Sequence, residues 1–235
     1  MSNFVFQAAI TLVPFILSIT VHEWAHAWTA TRLGDDTAAR QGRLTLSPDK
    51  HIDIFGSIIV PLIGIVLLNG MLFGWAKPVP VNPSGFKREI SMKRGMLLVA
   101  LAGPMSNLLL AILCGVALKV MYLVGGEALF MQKTGEAFGR LLGLGVTWNV
   151  LLFAFNFVPI PPLDGSKILA GVLPDDKQWI VEWLERHQMM LFLVFLLFGL
   201  SLFFTLIMGP LRSLLVVLLG LNTPTLIGLM STSVN

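Results

Sequence analysis

Five stretches of this chain, residues 3–31, 54–75, 95–124, 138–158 and 189–208, stay apolar over the roughly 20 residues that a helix needs to cross a bilayer. In hydrocarbon every backbone N–H and C=O must find a partner inside the protein, so runs of this kind restrict the chain to a few architectures. Composition agrees: 55% of residues are hydrophobic and only 12% charged, against about 25% charged in a soluble domain, and the mean hydropathy is +0.81. A sixth segment from Leu211 carries Arg212, Asn222 and Pro224, and reads as a half-span or an interfacial piece. The expected fold is an all-α polytopic membrane protein with about five to six transmembrane segments in one domain over residues 1–235.

The first run has no Lys or Arg ahead of it and no small-residue cleavage site after it, so it is expected to remain as a span. Cys114, the single cysteine, lies inside an apolar run, which excludes a disulfide framework and a cysteine-based metal site. The net charge of +3 sits in loops such as residues 31–50 and 87–94. That placement suits a membrane surface and not a nucleic-acid groove. Between the fourth and fifth runs, Trp179 and Trp183 share a helical face among charged residues, the pattern of a helix lying in the interface.

At the end of the first run stands "VHEWAHAW", residues 21–28. Residues four apart share a helical face, so His22 and His26 can present two imidazole nitrogens to one tetrahedral metal ion, with Glu23 beside them. This is H-E-x-x-H, in which two histidines hold zinc and the glutamate serves as general base. Chance would produce such a match on the order of 0.002 times in a chain of this composition. A polar cluster that merely pins helices is a weak rival, because each ionisable group at the bilayer centre costs about 2.5–3.5 kcal/mol on insertion scales. A zinc or iron carrier could also place His and Glu at helical spacing. It would need polar groups along a crossing path and paired repeats, and these spans are unlike one another.

A catalytic zinc wants three protein ligands and an open position. A third histidine six residues after His26 is ruled out by Arg32, and the next glutamate is Glu89. Asp35, Asp36, Asp49 and Asp53 lie in a mixed-charge, solvated stretch. Asp164 differs, because it follows the fourth run in "NFVPIPPLDGSKIL", where three prolines break the helix near a membrane face. It is the preferred third ligand, with helix capping as the competing reading. His51 and His187 are spare, the first in a loop and the second on the interfacial helix.

"HEWAH" together with "NFVPIPPLDG" resembles the site-2 protease family of intramembrane zinc metalloproteases, and the likeness extends through "GRLTLSPDKHID", "GWAKPVPVN" and "AGPMSN". It is closest to the minimal bacterial type without a PDZ or CBS domain. The resemblance implies one zinc ion on His22, His26 and Asp164, Glu23 as base, and Asn156 positioning substrate or its oxyanion. Asn107 matches a Gly-x-x-x-Asn feature of the family, although Gly103 to Asn107 is also small-residue spacing for close helix packing. The implied substrate is a transmembrane protein or a leftover signal peptide, cut in the cell (inner) membrane with the site toward the cytoplasm.

Shared ligation sets a topological condition. His22, His26 and Asp164 each fall near the C-terminal end of a run, so the first and fourth runs must be parallel, and one segment between them must fail to cross. Residues 54–75 are expected to enter and return, turning at Pro61 and at Asn69–Gly70, with "AKPVPVNP" as an extended leg. Both basic loops then face the cytoplasm. The alternating "GRLTL", residues 42–46, is expected to form a strand or hairpin beside the membrane, able to pair with an unwound substrate.

Overall fold

The computed structural model describes residues 2–67 and 74–230 of the chain. Its long elements are α1 (Ser2–Leu33), α2 (Met92–Phe130), α3 (Lys133–Asn156) and α6 (Gln188–Leu218), joined through the shorter helices α4 (Asp164–Val172) and α5 (Gln178–Arg186). A last short helix, α7, covers Pro224–Leu229. Among the described residues four helices are long and apolar enough to cross a bilayer. At 1.5 Å per residue, α1 reaches about 48 Å, ample for a hydrocarbon core of about 30 Å. The all-α membrane architecture is thus found, with fewer crossing helices among the described residues than the apolar runs suggest.

The missing crossing lies at residues 54–75. Asp53 caps a helical stretch, Ile54–Ile59 running into Val60–Leu67, by accepting the Gly56 N–H at 2.7 Å. The chain is back at its starting point by Trp75, whose N–H donates to the Gly56 carbonyl at 3.1 Å while the Ser57 hydroxyl donates to the Trp75 carbonyl at 2.8 Å. The two described ends of the segment therefore meet, as the parallel condition requires. Pro61 is not a turning point, since the helical stretch that begins at Ile54 continues through it to Leu67. The Asn69–Gly70 pair falls outside the described residues. Residues 74–82 form the extended leg, with Pro78 and Pro80 forbidding a helix.

Two expectations change. Residues 42–46 form a turn end, a bend and irregular chain, and no strand occurs among the described residues. An alternating sequence becomes a strand only where an edge is available to pair with; here the groups bond elsewhere. The Arg43 N–H donates to Ala38 O at 2.9 Å, its guanidinium Nη2 to Lys77 O at 2.6 Å, and Thr45 O accepts from His51 Nε2 at 2.8 Å. The segment from Leu211 is not a separate crossing either: its first part continues α6, and its last part is α7.

Two of the three core clusters position the site, the third being the small group Ala30, Phe86 and Val99. Ile10, Phe15 and Ile19 of α1 pack on Leu144 and Trp148 of α3, with Phe15 edge-on to Trp148 at 5.8 Å. On the other flank, Ala111 and Leu118 of α2 and Val146, Val150 and Ala154 of α3 meet Phe195 and Phe203 of α6. α3 is thereby held centrally, and its C-terminal end is brought alongside that of α1. Helix α5 exposes Trp179 and Trp183 while burying Val181, the one-sided pattern its sequence suggests.

Candidate metal centre

His22 and His26 sit one turn apart on α1, both more than nine-tenths buried. Asp164, equally buried, is the first residue of α4. The capping alternative fails: Leu163 holds the N-cap position and no side chain caps this helix. Pro159, Pro161 and Pro162 end α3, and Gly165 lets α4 start hard against that end, since a Cβ there would lie 2.3 Å from Val158 O.

The three side chains converge. His22 Nε2 and His26 Nε2 are 3.0 Å apart, and Asp164 Oδ2 lies 3.1 Å from the first and 3.2 Å from the second. The remaining ring nitrogens are already committed as donors: His22 Nδ1–H to Asn107 Oδ1 at 2.6 Å, and His26 Nδ1–H to the Val99 carbonyl at 2.7 Å. Each imidazole therefore turns a lone pair toward the same point as a carboxylate oxygen. Three acceptors with no donor among them are repulsive unless a cation lies between. Ligands about 2.0–2.1 Å from a tetrahedral zinc stand about 3.3 Å from one another, so the observed spacing fits such an ion. Lys167, at 3.7 Å from Asp164 Oδ1, is the nearest positive side chain to the other carboxylate oxygen.

A buried polar chain fixes His22. Asn107 on α2 spends both amide hydrogens, on Ser18 O at 3.1 Å and on Asn149 Oδ1 at 2.8 Å. Asn149 on α3 donates to Ser18 Oγ and to Gly145 O, each at 2.8 Å, and Ser18 Oγ donates to Pro14 O at 2.7 Å. Three helices are tied together with these donors satisfied, which is what polar groups inside a membrane require. Asn107 accordingly stands behind His22 and has no hydrogen left for a substrate. Ser18 and Asn149 escape a motif-based reading, although a serine and an asparagine inside apolar runs are themselves a signal of buried polar function. Gly103 is essential in shape: a Cβ there would sit 2.4 Å from His26 Nε2 and 2.6 Å from His22 Cε1.

The centre opens on a cavity of about 580 Å³ whose wall includes Glu23, Trp75, Val79, Asn156 and Lys167. Glu23 Oε2 accepts the Val79 N–H at 2.8 Å. Asn156 gives one amide hydrogen to Leu152 O at 3.0 Å, so its second remains for the cavity. His51 is buried in its loop, donating to Thr45 O, and His187 is bonded to Trp183 O, so neither joins the centre. Beyond the helix end, Asp35 receives the Thr37 hydroxyl and N–H through Oδ1 and the Asn82 N–H through Oδ2. Burial pulls this carboxyl upward, but those hydrogen bonds outweigh it and hold it below its ordinary range.

Membrane-crossing helices that carry an H-E-x-x-H turn and a distant aspartate into one buried, metal-fitting cluster define a membrane-embedded metalloprotease. The chain belongs to peptidase family M50, the site-2 protease family, whose model matches residues 10–139, a stretch that includes His22, Glu23, His26 and Asn107 but ends before Asp164. It is 39% identical over 183 residues to YwhC of Bacillus subtilis, which carries a provisional zinc-metalloprotease name; the match covers 78% of each chain. Rip2 of Mycobacterium tuberculosis, named in the same provisional way, is 30% identical over 78% of this chain and 64% of its own length. Rip2 of Mycolicibacterium smegmatis is 29% identical over 72% of this chain and 59% of its own. The chain thus spans about three fifths of the Rip2 proteins. No solved structure matches it. Zinc metalloprotease chemistry and a membrane setting follow from the family.

Proposed function

We propose that this protein hydrolyses peptide bonds within or beside the transmembrane segments of membrane-anchored substrates, with one zinc ion on His22, His26 and Asp164 and with Glu23 as general base. The observation that carries the reading is the convergence of three acceptor atoms within 3.2 Å, beside a carboxylate on a cavity wall. Zinc bound there supplies Lewis acidity, polarising a carbonyl and acidifying water. Glu23, with Oε2 engaged by Val79 and no partner for Oε1 among the described residues, takes a proton from water at Oε1 and hands it to the leaving amine. The spare Asn156 hydrogen faces the developing oxyanion. Asn107 and the Val99 carbonyl keep both imidazoles in one tautomer, Nδ1 protonated, so that their Nε2 lone pairs stay available.

Apolar side chains, among them Ile19, Val81, Met96, Phe155 and Phe192, make up much of the cavity wall and suit an unwound apolar segment. A helical substrate hides its carbonyls in its own hydrogen bonds, so it must open locally before Glu23 can act. The basic residues from the last turn of α1 to the first turn of α2, among them Arg32, Arg40, Arg43, Lys87, Arg88 and Arg94, support a cytoplasmic face for the site in a cell (inner) membrane. The test is metal analysis and cleavage of a single-span substrate in liposomes. Glu23→Gln should retain one zinc and lose cleavage, and Asp164→Ala should lose the zinc. Cleavage by Glu23→Gln at the wild-type rate would overturn the proposal.

A further inference from the structure

In "KPVPVNP" the prolines remove the backbone donors of residues 78, 80 and 83. Pro78 and Pro80 have no N–H, so Val79 is the one backbone donor in residues 78–80. That donor meets Glu23 Oε2 at 2.8 Å. The segment carrying it is fixed at both ends. On one side the Trp75 N–H donates to Gly56 O, the Lys77 N–H donates to His51 O at 2.9 Å, and the buried Arg43 guanidinium donates to Lys77 O at 2.6 Å. On the other, Asn82 N–H donates to the buried Asp35 at 2.7 Å. Trp75 is seated closely, since a Cβ on Gly56 would lie 2.4 Å from its ring. In extended chain, alternate N–H groups point the same way. Lys77 and Val79 share an edge, and that edge faces the loop after α1 and Glu23.

Glu23 has three rotatable bonds and is the neighbour in sequence of His22. Left free, its carboxylate could turn onto the metal ligands or out into the cavity. A donor on a clamped, proline-stiffened strap removes that freedom at one oxygen and leaves the other for water. We infer that the extended segment 74–82 is a positioning strap for the general base, acting through the Val79 amide and not through the Val79 side chain. The inference rests on Glu23 being the base, as proposed above.

Val79→Pro deletes the N–H at the cost of an added ring, in a run that Pro78 and Pro80 already hold extended. Replacing Val79 by its α-hydroxy acid deletes the same hydrogen without adding a ring. Hydrogen bonds to charged groups are strong enough that kcat for both should fall about 10- to 100-fold below that of Val79→Ala, which keeps the N–H. KM and zinc content should match those of Val79→Ala. The infrared carboxylate stretch assigned to Glu23 by its loss in Glu23→Gln should shift in both donor-deleted proteins. A kcat within twofold of Val79→Ala, or a loss that appears as raised KM or missing zinc, overturns the strap. If Glu23→Gln itself cleaves normally, the base assignment fails, and that result is read separately.

Discussion

Gly103→Ala should damage the metal centre although helix propensity favours it. Alanine in place of a helix-interior glycine normally gains about 1 kcal/mol. Here the added Cβ would stand 2.4 Å from His26 Nε2, 2.5 Å from His26 Cε1 and 2.6 Å from His22 Cε1. Ordinary contacts of carbon with such atoms are about 3.5–4.0 Å, so one or both rings must retreat by about 1 Å. The rings cannot retreat freely, because their Nδ1 atoms are tied to Asn107 and to Val99 O. Metal sites tolerate about 0.2 Å in ligand distance. A displacement of several times that should cost well over the 10–100-fold in affinity typical of losing a supporting hydrogen bond. The assay is zinc competition with a chromophoric chelator on purified protein, with thermal unfolding of the metal-free form as control. Loss of zinc affinity with unchanged or raised apo stability is expected. Wild-type zinc affinity in Gly103→Ala would refute the reasoning, since it would mean that the helices slide apart at no cost to the ligands.

Asn107→Ala should lower zinc affinity about 10–100-fold by freeing the His22 ring, whereas Asn149→Ala, one step further from the ligand, should chiefly cost about 0.6–1.7 kcal/mol of stability, the range measured for hydrogen bonds between membrane helices; chelator competition and detergent unfolding separate the two. Asp35 has a folded-state carboxyl below its ordinary value near 3.8. Its contribution is therefore complete above that value and is lost as pH falls through the lower folded one. Asp35→Asn should destabilise at neutral pH, with the difference from wild type vanishing in acid, as followed by unfolding across a pH series.

The parts of the centre made by one helical turn are plain in the sequence, because i,i+4 spacing fixes relative direction: His22 and His26 share a face by geometry alone. Asp164 could be reached only by elimination and by the family resemblance, since a contact across 138 residues leaves no local period. Asn107 shows the limit of a motif. Its spacing is legible, but whether its amide points at substrate or at the back of His22 depends on how α2 is rotated against α1. Val79 is invisible in principle, because a backbone N–H has no residue type. Residues 54–75 are apolar enough to cross, and what joins their two ends is the bonding of Trp75 to Gly56 and Ser57, a tertiary contact. For residues 42–46 alternation suggested a strand, but the buried guanidinium of Arg43 and the imidazole of His51 claimed the carbonyls of Lys77 and Thr45.

The separation between His26 and Asp164 also sets a clock. Ribosomes add about 5–20 residues per second, so 138 residues part the arrival of the imidazole pair from that of the carboxylate by about 7–28 s. During that interval the nascent chain holds two of its three ligands, and its own freshly inserted helices lie beside an incomplete enzyme. Completion waits until α3 has threaded and α4 has turned back, which makes correct insertion a condition of proteolytic competence.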